Sequence, residues 1–326
     1  MTAPPLPQQA LARLLTTLVS ASYRFTTPTP LTHQRVLSRP AARQSSTEAT
    51  LRAIFGWSQP FEPTALPADL LCLLLTAGIV VHDHDDAAGR LQSTIRVSSL
   101  GDDLFVHSAF PTRDGDAVFF GPDTYRFARF IAQSLPGSWC AGEQPCRVLD
   151  IGCGSGAGGV AVERALGTAC ALVLNDINPR ALAYAAVNAS AAGVSAALLP
   201  GDAMTEVDGE FDVIVANPPY LDDDHQRAYR HGGARLGRAL SLSMAATALA
   251  HLAPGGSLLL YTGVAMVDGK DPFLQELAEL LAGFDGAWTY SEIDPDVFGE
   301  ELERPVYAHI DRIAAVGLTV RRRQIS

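Results

Sequence analysis

Four consecutive residues, Asn217-Pro218-Pro219-Tyr220, combine groups suited to holding a planar nitrogen, and they follow directly on the apolar run Phe211-Asp212-Val213-Ile214-Val215-Ala216. That run has the composition of a buried strand, so the tetrapeptide is expected where the strand leaves its sheet. Neither proline can donate to a ladder and both fix their own φ, which makes the exit rigid and extended, with carbonyls left unpaired. The Asn217 side-chain oxygen and the Pro218 carbonyl can both accept hydrogen bonds from one NH2 group, and Tyr220 offers a ring face to a planar group or a cation. A purely structural strand exit would leave buried carbonyls without partners.

Other strand ends upstream also carry polar groups. Arg147-Val148-Leu149-Asp150-Ile151 reads as a short buried strand that runs into Gly152-Cys153-Gly154-Ser155-Gly156 and then a helical pattern from Val160 to Leu166. Gly152, Gly154 and Gly156 permit positive φ and close approach of the backbone to a ligand, and the helix start supplies free N–H groups. Asp150 either anchors this loop or holds a water near it. The next strand, Ala171 to Leu174, ends at Asn175-Asp176, twenty-six residues after Asp150. Nucleotide-binding α/β folds place an acid for ribose hydroxyls at about this spacing, so Asp176 is the ribose candidate, with a helix cap before Asn178-Pro179 as its structural alternative. Ala196 to Leu199 ends at Gly201-Asp202, where Asp202 faces an adenine amino group or serves only as a turn residue.

On these residues the chain resembles the class I S-adenosylmethionine (SAM) dependent methyltransferases, within them the nitrogen-methylating branch with an Asn-Pro-Pro-Tyr motif, as in release-factor glutamine and N6-adenine methyltransferases. The likeness spans roughly residues 118 to 320. It implies an α/β, Rossmann-like, seven-stranded SAM-binding domain. It also implies that Val148 to Gly156 is the methionine-side loop, Asp176 the ribose ligand, Asp202 the adenine ligand, and Asn217, Pro218 and Tyr220 the catalytic motif. Phe120-Gly121-Pro122-Asp123-Thr124-Tyr125 looks like the gate segment that such enzymes carry before the SAM loop, which adds Thr124 and Tyr125 to the cofactor-binding residues. The Glu-Pro-containing segment of the release-factor enzymes is absent here, a departure that counts against a release-factor glutamine.

A chain of 326 residues, 48% hydrophobic and 18% charged, is expected to fold as two domains with a real core, 1–110 as an N-terminal cap and 111–326 as the catalytic unit. The longest apolar run, Leu70 to Val81, falls short of the ~20 residues that span a bilayer, and no secretory leader is visible at the N-terminus. Scattered cysteines without metal spacing fit a reducing cytoplasm, and no metal is expected. A net charge of −11 disfavours a nucleic-acid partner. Residues 1–60 carry six arginines against Glu48, a local balance of +5 that leaves −16 for the remainder.

The N-terminal part reads as mainly helical. Leu11, Leu14, Leu15, Leu18 and Val19 have amphipathic helical spacing, 26–45 reads as a loop with an extended piece at Val36-Leu37, and Ser45-Ser46-Thr47-Glu48 opens a further helix. Another helix starts at Pro67 and stops at Gly78, before a hairpin formed by Ile79-Val80-Val81 and Leu91 to Val97. Helices followed by a hairpin resemble a winged-helix module, read here as a packing or homodimerising unit over the active site. His82-Asp83-His84-Asp85-Asp86 reads as a solvated turn, and Asp222-Asp223-Asp224-His225 as a helix start beyond the motif.

Arg227, Tyr229, Arg230 and His231 precede Gly232-Gly233 and are read as a substrate lid on a glycine hinge; Asp294 to Glu303 is read as an acidic surface insertion. The resulting expectation is a SAM-dependent N-methyltransferase acting on a small-molecule amine or amide. The alternatives are a protein-glutamine or nucleobase-amine acceptor, and a cyclase in which the methionine amine of SAM attacks its own γ-carbon to give azetidine-2-carboxylate and methylthioadenosine.

Overall fold

The computed structural model describes residues 6–324 apart from 40–45, 84–88, 113, 136–144, 203–206 and 224–228. Of the residues singled out above, Ser45, His84 to Asp86, Asp224-His225 and Arg227 lie outside the described residues.

The C-terminal part contains a seven-stranded sheet with strand order β10-β11-β9-β8-β5-β6-β7. Its parallel core comprises β5 (Arg147–Ile151), β6 (Ala171–Asp176), β7 (Ala196–Pro200), β8 (Phe211–Ala216) and β9 (Leu252–Met266). β11 (Arg312–Arg322) and β10 (Gly286–Asp294) close one edge antiparallel. Helices α5 (Pro122–Ser134), α6 (Ala157–Leu166) and α7 (Pro179–Ala191) precede or join the first strands, while α8 (Ala239–Ala250) and α9 (Pro272–Leu281) flank β9. The seven-stranded Rossmann-like expectation therefore holds. From β5 the chain winds outward through β6 to β7 and then returns to β8 on the other side of β5, which makes the β5/β8 boundary the topological switch point. At such a point loops diverge and leave a crevice beyond the carboxyl ends of the strands. Ile151 and Ala216 are register partners there, so the glycine loop and the Asn-Pro-Pro-Tyr exit emerge side by side.

Two apolar layers enclose the sheet. One contains Val148, Val160, Leu174, Val213, Tyr261 and Phe127; the other contains Leu149, Ile214, Leu258, Phe273 and Val316. Adjacent strand residues go to opposite layers, as the pleat requires, and this explains why β5 and β8 read as continuous hydrophobic runs.

The N-terminal unit has helices α1 (Leu6–Ser20), α2 (Pro30–Leu37), α3 (Thr47–Phe55) and α4 (Ala68–Thr76). Two hairpins follow, β1 (Val80–His82) with β2 (Leu91–Ser93), and β3 (Ile95–Leu100) with β4 (Asp103–Ser108). α2 stands where a loop was expected: Thr29 caps it by accepting from the Thr32 N–H, and Pro30 occupies the first helical position. A Thr-Pro pair is as good a helix start as a loop signal, and its start value was overlooked. The second hairpin was also unread, although Gly101, with φ of 59°, and Asp102 form the two-residue turn between alternating apolar positions.

Among the described residues, no helix is long and apolar enough to cross a membrane. Asn188, fully buried on α7, joins the two parts of the molecule. Its Oδ1 accepts from the Val106 N–H at 2.8 Å, and its Nδ2 donates to the carbonyls of Val106 at 3.0 Å and Ser155 at 2.9 Å.

Candidate functional site

A cavity of about 410 Å³ occupies the crevice beyond β5, β6, β7 and β8. Asp150, Gly152, Gly154, Asp176, Asp202, Asn217, Pro218, Tyr220 and Thr124 all line it, so most of the predicted site residues come together in one place. Gly152, Gly154 and Gly156 adopt φ of 65°, 53° and 78°, a backbone path that side chains with a Cβ rarely follow. Gly156 caps α6 from behind the loop, where a Cβ would press on Ala185 and Leu174; its part is close packing of helix on sheet.

The carboxylates after β5 and β6 have different tasks. Asp150 is buried behind the loop and accepts from the Gly159 N–H at 2.8 Å, anchoring the start of α6. Burial pushes its carboxyl up to about 7, against the lowering effect of the Gly159 bond and with a small further rise from Asp176. A carboxyl raised in the folded state contributes stability below its unfolded value near 4 and loses it as pH rises toward 7. Asp150→Asn keeps an acceptor for Gly159 but cannot ionise. Its Tm advantage over the wild type, measured by calorimetry without ligand, should therefore be absent near pH 4 and grow to pH 8. A pH-independent difference would refute the assignment.

Asp176 accepts from the Gly154 N–H at 2.9 Å and the Asn178 N–H at 2.8 Å, with burial raising its pKa against those bonds. The cap of α7 is Asn178, which accepts from the Arg180 N–H, so the capping role does not fall to Asp176. Asp202 is exposed at the cavity rim.

The Tyr220 ring is held on every side. Its hydroxyl donates to Asp123, a buried carboxylate on α5 that also accepts from the Tyr261 hydroxyl at 2.8 Å and from Arg126 at 3.0 Å. Arg126 in turn bonds Asp294 at 2.9 Å. Phe298 meets the Tyr220 ring edge-on at 5.8 Å, and the backbone of Gly263 on β9 lies so close that a Cβ would fall inside the ring. Burial, followed by the charge of Asp123, pushes the Tyr220 hydroxyl well above its ordinary range. Tyr220 is thus a fixed donor to Asp123 and not a proton acceptor. Burial also raises the carboxyl of Asp123, opposed by its tyrosine and arginine partners.

Thr124 accepts from the Gly121 N–H at 3.2 Å at the start of α5 and reaches the cavity. Tyr125, expected beside it, turns the other way: its hydroxyl accepts from the Thr27 N–H at 3.0 Å and its ring packs edge-on against Phe120. Successive helical residues diverge by about 100°, so one segment cannot point both side chains at one ligand.

The expected lid is also different in form. Leu221 and His231 form a parallel bridge, the Gly232 N–H donates to the Leu221 carbonyl at 2.8 Å, and a Cβ on Gly232 would meet Tyr220 Cα at 2.6 Å. Gly232 is a buttress under the motif and not a hinge. His231 accepts from the Asp223 N–H at 3.2 Å, Arg230 pairs with Glu301 and with Asp223 at 3.5 Å, and Tyr229 donates to the Thr112 carbonyl at 3.3 Å. Tyr229 and Arg230 line the cavity.

Reading the sequence missed Asp123 as a site residue, together with Tyr261, Gly263 and Phe298. The segment taken for an acidic surface insertion carries Phe298 into the cavity with φ of 54° and buries Glu301 against Arg230 and Arg304. A non-glycine residue held at positive φ beside a cavity is a place where strain and function often coincide.

Comparison with known proteins places residues 128–267 in the methyltransferase small domain model. The release factor glutamine methyltransferase of Deinococcus radiodurans is 32% identical over 169 residues, covering 49% of this chain and 56% of that protein. The ribosomal RNA small subunit methyltransferase C of Shewanella sp. (strain MR-4) is 41% identical over 76 residues, or 23% of this chain and 22% of that protein. The chain thus spans little more than half the length of one relative and about a fifth of the other. Among solved structures, Trm5b from Pyrococcus abyssi superposes with a TM-score of 0.47 at 16% identity, covering 70% of this chain and 56% of that one. The expectation of a small-molecule acceptor with nucleic acid set aside is overturned here: the relatives carry the names of enzymes for a protein release factor and for ribosomal RNA. Net charge and a missing motif were weak grounds for it, because an acidic chain can still present a local macromolecular contact surface.

Proposed function

We propose, from the premise that residues 128–267 belong to the methyltransferase small domain, that this chain is a SAM-dependent N-methyltransferase whose acceptor is a side-chain amide NH2 on a protein. One observation carries the reading: Asn217 and Pro218 open into the same cavity as the positive-φ glycine loop, Asp176 and Asp202. The fit to SAM is chemical: carboxylates at the ends of β6 and β7 suit ribose hydroxyls and an adenine amine, and about 410 Å³ lies in the range of small-ligand clefts. A protein acceptor is favoured over RNA by the longer matched stretch in the release-factor relative.

When bound, SAM supplies a methyl group activated by its sulfonium. The chain's own residues hold the acceptor. The Asn217 side-chain oxygen and the Pro218 carbonyl accept the two N–H bonds of the amide, fix the plane of the nitrogen, and favour the positive charge that builds on it. Amide nitrogen is a poor nucleophile because its lone pair is shared with the carbonyl, so alignment within the ~3 to 3.5 Å of a near-attack geometry carries much of the rate. Tyr220, locked by Asp123, keeps the wall beside that nitrogen from moving.

The test is to incubate the protein with SAM and, in parallel, a glutamine peptide or an RNA fragment, following S-adenosylhomocysteine and methylated product by mass spectrometry. Transfer to the peptide supports the reading. Transfer only to RNA, or release of methylthioadenosine from SAM alone, overturns it. A second expectation concerns Asp176→Asn, which keeps the side chain's size but loses its charge: SAM affinity measured by calorimetry should fall roughly 10-fold, as for the loss of a charge-assisted hydrogen bond. Unchanged affinity would remove Asp176 from the ribose role.

A further inference from the structure

A second cavity, of about 390 Å³, lies between the N-terminal unit, the start of α5 and the loop 296–300 that follows β10. It meets the first along a shared wall of Val118, Phe119, Asp123, Tyr229, Arg230 and Phe298. Arg96 on β3 and His33 on α2 line it, each only 4% exposed.

Arg96 is an unusual residue to find there. Its Nε donates to the Gly56 carbonyl at 2.8 Å, and its guanidinium stands 5.3 Å and 6.0 Å from the ring centres of Phe25 and Phe110. Its Nη2 has no hydrogen-bond partner, and among the described residues no carboxylate pairs with it. The other arginines on this cavity have carboxylate partners, Arg126 with Asp123 and Asp294, Arg230 with Asp223 and Glu301, although the Arg230 Nε makes no hydrogen bond of its own. Burial lowers Arg96 to about 10, which still leaves it charged at neutral pH. The Nδ1 of His33 is likewise buried and unpartnered, between Trp57 at 5.4 Å and Phe110 at 4.7 Å. Burial, then Arg96, lowers this imidazole to about 4, so it is neutral and presents its unpaired nitrogen as a single donor or acceptor.

An arginine with a donor left unpaired and no counter-ion in an apolar interior is costly, and a carboxylate removes the cost by accepting from it and balancing its charge. We propose that this chamber is the acceptor-side subsite and that Arg96, with His33 beside it, receives a carboxylate of the acceptor protein close to the methylated amide. The proposal rests on the protein-amide reading above and adds a specificity rule to it. The carboxylate comes from an acidic neighbour of the acceptor residue or from a chain end. The shared wall at Phe119, Tyr229 and Phe298 is the passage through which one polypeptide reaches both cavities.

The test compares three peptides with the full chain and saturating S-adenosylhomocysteine: N-acetyl-Gly-Gln-Gly-amide, N-acetyl-Glu-Gln-Glu-amide, and N-acetyl-Gly-Gln-Gly with a free terminal carboxylate. Binding is read by calorimetry and by tryptophan fluorescence, to which Trp57 contributes beside His33. At least one acidic peptide should bind roughly 10-fold more tightly than the neutral one, and which of the two does so identifies the source of the carboxylate. Arg96→Met should abolish that advantage, and Arg96→Lys, which keeps the charge but loses the fork, should retain only part of it. Should Arg96→Met fail to fold, as judged by lost S-adenosylhomocysteine binding, Arg96→Lys and His33→Ala carry the comparison. Equal affinities for the three peptides, or an acidic preference indifferent to every one of these substitutions, overturns the proposal. Methyl transfer to the same peptides, with SAM in place of S-adenosylhomocysteine, separates the two readings. Transfer without acid preference removes the subsite and keeps the amide reading; acid preference without transfer does the reverse.

Discussion

Asn217→Ala should lower methyl-transfer turnover by roughly 10²- to 10³-fold, the range seen when a group that stabilises developing charge is removed, while SAM affinity changes by less than about threefold. The expectation follows from position. Asn217 ends the central strand β8 and lines the cavity, whereas the carboxylate proposed for the ribose stands at the end of β6, separated from β8 by β5. Steady-state kinetics with a saturating acceptor, beside calorimetric titration with SAM, decide it. Equal losses in turnover and SAM affinity would show that Asn217 supports the donor pocket and does not hold the acceptor.

Gly263→Ala tests the wall behind Tyr220. A methyl group at Gly263 would overlap the Tyr220 ring, and the ring cannot retreat easily because its hydroxyl is tied to Asp123 and its edge to Phe298. Overpacking of this kind costs about 1–3 kcal/mol, and the displaced motif should lose tenfold or more in turnover, since roughly 1 Å of misplacement is expensive for an alignment mechanism. In a Tyr220→Ala background, where the ring is gone, the same glycine substitution should cost much less stability. Equal costs in both backgrounds, measured by denaturant unfolding, would show that the strain arises elsewhere on β9.

The sheet and most of the residues that line the first cavity were legible in the sequence because their signals are local. β5 and β8 are uninterrupted apolar runs whose ends carry glycine, aspartate or proline, and each strand end reports its own polar group. What was not legible depends on distant partners. Asp123 precedes Tyr220 by 97 positions and Tyr261 by still more, so nothing around Asp123 announces that it fixes either ring. Phe298 and Glu301 sat in a stretch whose acidic composition suggested solvent; composition cannot show that Arg230 and Arg304 wait on the other side to neutralise it. Gly232 and Gly233 looked like a hinge because glycine is permissive, but at Gly232 the absence of a side chain is used for contact with Tyr220. Arg96 sits in the arm Leu91 to Val97 expected to pair with Ile79-Val80-Val81, whereas from Ile95 on that arm is β3 and pairs with β4, and only its burial beside Phe25 and Phe110 sets Arg96 apart.

Asn188 gives the meeting of β4, α7 and the glycine loop a different meaning. Its one amide serves the β4 backbone at Val106 and the glycine loop at Ser155 together. Replacing Asn188 by Leu would leave the Val106 N–H and carbonyl and the Ser155 carbonyl in a dry interior without that partner, at a cost of about 1–3 kcal/mol for each. The Val106 backbone thus finds its side-chain partner 82 positions along the chain, so the hairpin and α7 cannot part without both losing it.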